Sequence, residues 1–407
     1  MKNYLFIFSA LFFSFQLKAQ TLKPDVFVVG NSNAAVAAAI QSAQSNVKTI
    51  LLLQAGGFDI EPIGKDLHSG VQATFLQKIK SFKKQNESVI ESVIDSIADV
   101  KFDKQTANQV LTQWTDSIKN LTVLKNVQWV KADRSGKGWV FKLSDGRTIR
   151  PKVFVNVADQ KLNTALKIDA STANAWHKFD YDSTIYKTSV AAGKHIGGST
   201  NTIYSLYQFL MPTQENLVYV NDASSMLMGQ SAGAIAAYAG FFNLKTSESN
   251  LKRIQGELIA FNTNLVPFTD IGVKDANWKA MQMVGLTGML KAEVVNGKLL
   301  FNAEKLVSTA DISQTMKDHF YKAQIWFDDH KSAIITIDAA LDLIRYVGNK
   351  APESMRKEVE KKWKTTYAFV SDFNAGRQIS RREFAVLLQD YAPPFNVTID
   401  KTGKILR

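Results

Sequence analysis

Apolar and polar positions along the chain predict an alternation of strands and helices. Residues 25–30, with the sequence DVFVVG, form an apolar run that predicts a buried strand, and the small residues of 34–45 predict a closely packed helix. A second apolar run at 49–53 predicts another buried strand, which ends before the turn sequence QAGG. This β-α-β order predicts two parallel strands joined by a right-handed crossover.

Two helices and a β-meander are predicted next. Apolar residues recur at helical spacing over 72–98, and a further helix is predicted over 104–119. Short apolar segments over 127–150 are separated by the turn sequences SGKG and SDGR, which is typical of an antiparallel meander. The apolar run 152–157 then predicts a return to the parallel sheet.

The second half of the chain predicts one more strand and helix of this core, followed by further helices. Residues 216–220 predict a buried strand, and the small residues of 229–239 predict a helix. A later helix begins at Ser380, an N-cap whose capping-box partner is Glu383, and ends before two prolines. The last residues, 397–406, predict a short hairpin.

Together these elements predict an α/β protein with a Rossmann-like core, an inserted β-meander and a helical C-terminal region. The core extends over 20–245 and includes a helical insertion at about 60–120, whereas 246–407 are mainly helical. In residues 1–19, Lys2 precedes a short apolar run and a small-residue cleavage site, as in a secretory signal peptide. We therefore expect an exported bacterial protein, located in the periplasm or at the cell surface.

Composition excludes several kinds of chemistry. The chain has no cysteine, which excludes disulfides, thiolate metal sites and a cysteine nucleophile. Its net charge is +12, with the lysines scattered along the chain. We expect this charge to attract acidic polysaccharide or lipid head groups rather than nucleic acid. Outside the N-terminal run, no apolar stretch approaches the length of a transmembrane segment.

The first β-α turn carries the strongest chemical signal. A dinucleotide-binding unit has the pattern G-x-G-x-x-G at this place, and the chain has GNSNAA over 30–35. Gly30 keeps the first glycine, Ser32 stands at the second, and Ala35 stands at the third. The turn therefore predicts a dinucleotide-type site in which two glycines have been replaced.

Three separated segments resemble one family. The β-α-β unit, the meander with its DGR turn and the strand-helix pair NLVYV…GQSAGAIAAYA are similar, in order and spacing, to FAD-dependent oxidoreductases of the glutathione-reductase-like flavoprotein fold. The resemblance covers 25–60 and about 120–240. It implies that FAD binds with its pyrophosphate at the first turn, its ribose after the second strand and its flavin near the GQ helix. The implied cofactor-binding residues are Gly30, Ser32, Asn33, Ala35, Gln54, Ala158, Gly229, Gln230 and Gly233.

Several of these positions depart from the family pattern. Ser32 places a side chain where the glycine lets the backbone approach the pyrophosphate, whereas Ala35 is a tolerated replacement. Gln54 replaces the acid that holds the ribose, which removes the charge assistance of that hydrogen bond. Ala158 and Asp159 lie where the family has an alanine-threonine-glycine motif, and a carboxylate there would repel a pyrophosphate unless it points away.

Two functions therefore stay open. The first is an exported FAD-dependent oxidoreductase that acts on a small-molecule or carbohydrate substrate. The second is a degenerate, non-catalytic relative that serves as a binding or surface-interaction protein. The sequence predicts no catalytic residue for either function, and the family usually carries a larger substrate domain than the roughly 45 residues present between Ala158 and Tyr204.

Other chemistry is less strongly indicated. The five histidines show no H-x-x-x-H or H-E-x-x-H spacing, so no metal site is predicted, and FDDH at 327–330 is expected to be an exposed turn. Ser231 lies in a G-x-S-x-G frame, but a hydrolase would also need an oxyanion-hole glycine cluster that is not evident. The loop 194–200, which contains His195, either faces the flavin or forms an ordinary surface loop.

Overall fold

The computed structural model describes residues 20–63, 68–86, 100–136, 138–169, 176–194 and 201–406. The predicted signal peptide at 1–19, the second part of the helix predicted over 72–98 and the loop around His195 lie outside the described residues.

Within the described ranges the chain forms fourteen β-strands and twelve α-helices. The strands are β1 (Thr21–Leu22), β2 (Val26–Val29), β3 (Thr49–Leu53), β4 (Leu121–Lys125), β5 (Trp129–Ser135), β6 (Gly138–Leu143), β7 (Thr148–Ile149), β8 (Val153–Val157), β9 (His177–Lys178), β10 (Ser189–Lys194), β11 (Asn201–Ser205), β12 (Leu217–Val220), β13 (Glu293–Val295) and β14 (Lys298–Leu300). The helices are α1 (Asn33–Gln44), α2 (Gly70–Asn86), α3 (Lys104–Asp116), α4 (Gln160–Leu166), α5 (Met226–Phe242), α6 (Leu251–Ala260), α7 (Trp278–Gly285), α8 (Thr309–His319), α9 (Ala323–Asp329), α10 (Ile337–Gly348), α11 (Pro352–Thr365) and α12 (Arg381–Tyr391).

A five-stranded parallel sheet forms the centre of the core. Its strand order is β12-β8-β2-β3-β4, with every neighbouring pair parallel. All residues of β2, β3, β8 and β12 are buried, which explains why these strands read as continuous apolar runs. From β2 the chain winds outward through β3 and β4, and later in the other direction through β8 and β12. This is a Rossmann-like order, and the predicted α/β fold class is confirmed.

The β-meander covers one face of the parallel sheet. Its strand order is β1-β7-β6-β5, in which β1 pairs parallel with β7 and the other pairs are antiparallel. The ring of Phe141 on β6 lies 4.9 Å from that of Phe27 on β2 and 4.8 Å from that of Phe154 on β8, measured between centroids. The predicted meander is therefore confirmed, and it contributes aromatic side chains to the core beneath the sheet.

Helices α1 and α5 pack against the opposite face of the sheet and touch each other through their backbones. A Cβ placed on Gly229 would lie 2.1 Å from the carbonyl oxygen of Ala34, and one on Gly233 would lie 2.3 Å from that of Ala38. Both distances are far below van der Waals contact. The two glycines are thus required for the closeness of α1 and α5.

The C-terminal region is helical, as predicted, with one two-stranded sheet formed by β13 and β14. Ser380 and Glu383 form the predicted capping box at the start of α12, and the helix ends at Tyr391, before the two prolines. The predicted terminal hairpin is present, since Ile399 pairs with Ile405. Its turn docks on the core, where the Thr184 hydroxyl donates to the Thr402 carbonyl over 2.7 Å. Within the described ranges, no helix is both long enough and apolar enough to cross a bilayer.

Substitution of Gly229 by alanine tests the contact between α1 and α5. We expect Gly229→Ala to lower the free energy of unfolding by about 3 kcal/mol, because the new methyl group overlaps the backbone of Ala34. Urea unfolding followed by circular dichroism measures this. Gly256→Ala in α6 is the matched control, since no atom lies within 4 Å of the added Cβ. That control should gain about 0.5–1 kcal/mol from improved helix propensity. Equal effects of the two substitutions would contradict the packing interpretation.

Candidate nucleotide-binding crevice

The candidate site lies at the carboxyl ends of the parallel strands. In open α/β sheets ligands bind where the winding direction of the chain reverses, which here is between β2 and β8. Gly30 follows β2, Gln54 follows β3, and Ala158 follows β8. The sheet therefore brings the predicted residues of the first turn, the ribose position and the third motif to one edge.

The turn between β2 and α1 keeps the backbone of a dinucleotide-binding turn. Gly30 has a φ of +135°, which an L-residue rarely adopts, and a Cβ there would lie only 3.1 Å from the Cβ of Ala35. Ser32 is the N-cap of α1, but its hydroxyl makes no capping hydrogen bond. The Ser32 Oγ is buried and has no partner in the described part of the chain.

Two loops close over this turn. The side chain of Asn33 is buried, donates to the carbonyl of Glu61 over 3.2 Å and accepts from the Glu61 amide over 2.9 Å. The amide of Asp59 donates to the carbonyl of Asn31 over 2.8 Å. These contacts hold the loop after β3 against the turn. Both polar atoms of the Asn33 side chain are therefore hydrogen-bonded to the backbone of Glu61.

The second loop follows β12 and reaches the N-terminus of α1. The first-turn amide of Ala34 donates to the carbonyl of Ala223 over 3.0 Å. The first amides of a helix have no partner inside the helix and are the groups that bind a phosphate in this kind of site. One of them is therefore already satisfied by the protein.

A side-chain pair crosses the crevice. The amide nitrogen of Gln54 donates to Oδ2 of Asp159 over 3.3 Å, and Oδ1 of Asp159 accepts from the amide of Leu162 over 3.1 Å as the N-cap of α4. Gln54 follows β3 and Asp159 follows β8, and β2 lies between these strands in the sheet. The Gln54–Asp159 pair therefore spans the carboxyl end of β2, above the turn at Gly30.

Backbone geometry at the third motif is also unusual. Ala158 has a φ of +50°, in the left-handed region that favours glycine. Most of the other non-glycine residues with a positive φ in the described residues are asparagines, for example Asn46, Asn126 and Asn216. An alanine held in this conformation stores local strain beside the crevice.

The predicted flavin-side residues on α5 face neighbouring helices. Gly229 and Gly233 contact the backbone of α1, as described above. The side chain of Gln230 is fully buried, donates to Oε1 of Gln41 over 2.7 Å and accepts from the amide of Val71 over 2.9 Å. Helix packing explains the two glycines, and the hydrogen bonds to Gln41 and Val71 explain Gln230. A role of these three residues in binding a cofactor stays a prediction.

Taken together, the residues of the crevice do not fit FAD as the family holds it. The ribose position carries an amide engaged with a carboxylate. One phosphate-binding amide of α1 is occupied by a carbonyl oxygen. Among the side chains at these positions, the buried hydroxyl of Ser32 has no hydrogen-bond partner in the described residues.

The position of Ser231 argues against the hydrolase alternative, in which this residue would be the nucleophile. The hydroxyl of Ser231 is buried inside α5 and lies within hydrogen-bond distance of the carbonyls of Val190 and Leu227, at 2.7 and 3.0 Å. Both contacts are with the backbone of the core. Ser231 is therefore a packing residue and cannot reach a substrate.

The FDDH segment behaves as an ordinary helix end. No group of three or more potential metal ligands occurs in the described residues. The ring of His330 stacks on that of Trp326 at 4.0 Å, and the Asp328 carboxylate accepts from Gln324 in the preceding turn.

Among the histidines that the structure describes, His319 has the most altered environment. It ends α8, and its Nδ1 lies 2.8 Å from the carbonyl of Thr315. Burial lowers the pKa of His319 to about 4, and the nearby cations of Lys187 and Lys252 act in the same direction. This ring is therefore neutral at physiological pH. Sequence reasoning did not single out its surroundings, because they come from distant segments.

Comparisons with known proteins give only partial likenesses. No protein-family model matches the chain, and no curated protein matches its sequence. GidA from Aquifex aeolicus is 16% identical with a TM-score of 0.23, over 33% of this chain and 25% of that one. T. acidophilum thioredoxin reductase is 15% identical with a TM-score of 0.20, over 33% and 35%. The p-nitrophenol 4-monooxygenase PnpA from Pseudomonas putida is 10% identical with a TM-score of 0.30, over 61% and 85%. The chain thus spans about a quarter to a third of the length of the first two.

Replacement of Ala158 by glycine tests the strain at the third motif. We expect Ala158→Gly to raise the free energy of unfolding by about 0.5–1 kcal/mol, because glycine adopts a positive φ without the Cβ clash. Chemical denaturation measures the change. The control is Ala55→Gly in the exposed turn after β3, which should lower stability slightly through backbone entropy. A loss of stability in Ala158→Gly equal to that of the control would show that no strain is stored.

The buried imidazole of His319 predicts a pH dependence of stability. Its pKa is about 4 in the folded chain and about 6.5 when exposed, so between these values the unfolded chain binds a proton that the folded chain excludes. The free energy of unfolding should therefore fall as pH is lowered from 6.5 to 4. In His319→Gln this fall should be smaller by roughly 2 kcal/mol, after allowance for partial exposure. Urea titrations at pH 8, 6 and 4 measure it, and parallel curves for both proteins would contradict the prediction.

Proposed function

We propose that this chain is a non-redox relative of FAD-dependent oxidoreductases that acts as an exported binding or surface-interaction protein. The observation that carries the proposal is the Gln54–Asp159 pair. It occupies the ribose position with a protein-protein hydrogen bond and spans the crevice in which the cofactor of the family lies.

The pyrophosphate side supports the same conclusion. The carbonyl of Ala223 takes a first-turn amide of α1, and Asp159 follows β8, the strand next to β2 in the sheet. A pyrophosphate bound at the first turn would compete with that carbonyl for the amide. It would also add negative charge to the edge of the sheet that carries Asp159, where charges in partly buried sites are weakly screened.

The second candidate is the FAD-dependent oxidoreductase itself, with a small-molecule or carbohydrate substrate. The unpartnered Oγ of Ser32 favours it, because a buried hydroxyl at a helix N-terminus is a suitable donor to a phosphate oxygen. In this alternative, FAD would bind after the Gln54–Asp159 pair opens. Gln54 would then accept a hydrogen bond from the ribose.

An absorbance spectrum separates the two functions. We expect the purified mature protein to be colourless, and to remain so after incubation with excess FAD and desalting, because the amide at the ribose position and one first-turn amide of α1 are taken by protein groups. Flavin bands at about 370 and 450 nm that survive desalting would overturn the proposal and establish the second candidate.

A variant that reverses the departures extends this test. In Ser32→Gly/Gln54→Glu/Asp159→Ser the backbone can approach the pyrophosphate, an acid faces the ribose, and the serine introduced at position 159 still caps α4. We expect this triple variant to retain FAD, at least tenfold more than the wild type in equilibrium dialysis. Asp159→Ser alone is the matched control: it opens the crossing pair but restores no ribose acid, and it should bind little FAD. Failure of the well-folded triple variant to bind more than the control would mean that other residues block the crevice.

A further inference from the structure

A second cleft lies away from the crevice, between the core and the C-terminal helices. It has a volume of about 430 Å³, within the range of small-molecule sites. The segment before β10 forms one wall with Tyr186 and Lys187, and α8 forms the other with Asp318 and His319. Thr184 on the first wall also binds the turn of the terminal hairpin, since its hydroxyl donates to the carbonyl of Thr402.

Three cationic side chains, those of Lys187, Lys291 and Arg381, line this cleft together with two carboxylates. Lys187 and Lys291 line it, and each lies near a tyrosine ring, at 6.0 Å from Tyr186 and 5.8 Å from Tyr181. Lys252 at the start of α6 lies close behind, 4.8 Å from the ring of Phe395. Among the described residues, none of the three lysines has a salt bridge within 4.0 Å.

Partial burial makes these charges costly in the absence of a ligand. Burial lowers the pKa of Lys187, and burial together with the charge of Lys187 lowers the pKa of Lys252 to about 7. The Lys291 charge also lowers the pKa of Lys187. Lys252 and Lys187 thus repel each other in a region of reduced solvent screening. An anion bound between them would relieve that repulsion.

Two carboxylates line the cleft, and both have other partners. Asp311 accepts from the amide and hydroxyl of Ser308 in the capping box of α8. Asp318 accepts from the side chain of Gln314 over 2.9 Å, and its charge raises the pKa of Lys187 by more than Lys291 lowers it, although burial keeps the net shift downward. The guanidinium of Arg381 adds positive charge at the base, where it donates to the carbonyls of Phe301 and Lys291.

We propose that this cleft binds a small organic anion, a carboxylate or a phosphate ester, through Lys187 and Lys291, with Lys252 completing the positive surroundings. The uncharged part of such a ligand would lie against the rings of Tyr181 and Tyr186 and near the hydroxyls of Ser183 and Thr184. The proposal does not rest on the state of the nucleotide crevice, since the two sites are built from different elements.

Isothermal titration of the full mature chain tests the proposal with defined probes. D-Glucuronate supplies a carboxylate, glucose 6-phosphate supplies a phosphate ester, and glucose is the neutral counterpart. We expect at least one anionic probe to bind at concentrations up to about 10 mM, whereas glucose does not.

Binding of glucuronate alone would identify carboxylates as the ligand class, and binding of glucose 6-phosphate alone would identify phosphate esters. Binding of both would leave the oxyanion as the recognised group. Absence of binding by either anion, or equal binding of glucose, would overturn the proposal.

Substitutions of the cleft lysines test whether the anion binds in this cleft. Lys187→Gln and Lys291→Gln should each weaken the anionic probe about tenfold, the loss expected for one charge-assisted contact. Lys142→Gln on the exposed side of the meander is the matched control and should bind as the wild type does. Unchanged affinity in both cleft variants would show that the anion binds elsewhere and would overturn the proposal.

Trace acetylation of the wild type, measured by mass spectrometry, gives a second test that needs no variant. Bound anion should make Lys187 and Lys252 less reactive by favouring their protonated forms, and unchanged reactivity at saturating probe would also contradict the proposal.

Discussion

The contact between α1 and α5 is the constraint on which the rest of the core depends. Gly229 and Gly233 let the two helices approach until backbone meets backbone, so both fit on one face of the parallel sheet. Gln230 then ties this pair to the start of α2. With a larger residue at either glycine, α5 would have to move away. The strand β12 that precedes it and the loop that closes on Ala34 would move with it.

This packing also explains how a Rossmann-like scaffold can be specified without contacts to a ligand. At positions that shape the scaffold, such as Gly30 and the glycines of α5, a larger side chain would clash with neighbouring atoms. The fold alone therefore requires glycine there. Positions that would contact only a ligand, such as Gln54 and Asp159, are free of that constraint and have formed a hydrogen bond with each other. A chain can therefore keep a Rossmann-like fold while side chains at the edge of its sheet bond to each other.

Much of the fold could be predicted from the sequence, because burial on both faces leaves continuous apolar runs and helix caps are local signals. The strand β4 was not predicted, since this short edge strand buries only Leu124 fully and lacks the continuous apolar run that marks the inner strands. The site was less predictable. The Gln54–Asp159 pair joins residues 105 positions apart, and no periodicity reports such a contact. The GQSAG motif was interpreted through the family, although its glycines are also accounted for by helix packing. The lysines of the second cleft come from three separate segments.

The distance in sequence between α1 and α5 has a kinetic consequence. The Ser42 hydroxyl donates to the Gly233 carbonyl across 191 positions, and the central strand β2 needs β8 as its neighbour. A chain emerging from the ribosome therefore presents β2 and α1, both strongly apolar, long before β8 and α5 exist, and only β3 is available early as a neighbour. Folding with such non-local contacts is slow, and exposed apolar strands aggregate readily. The apolar faces of β2 and α1 thus stay incompletely covered until α5 has been synthesised.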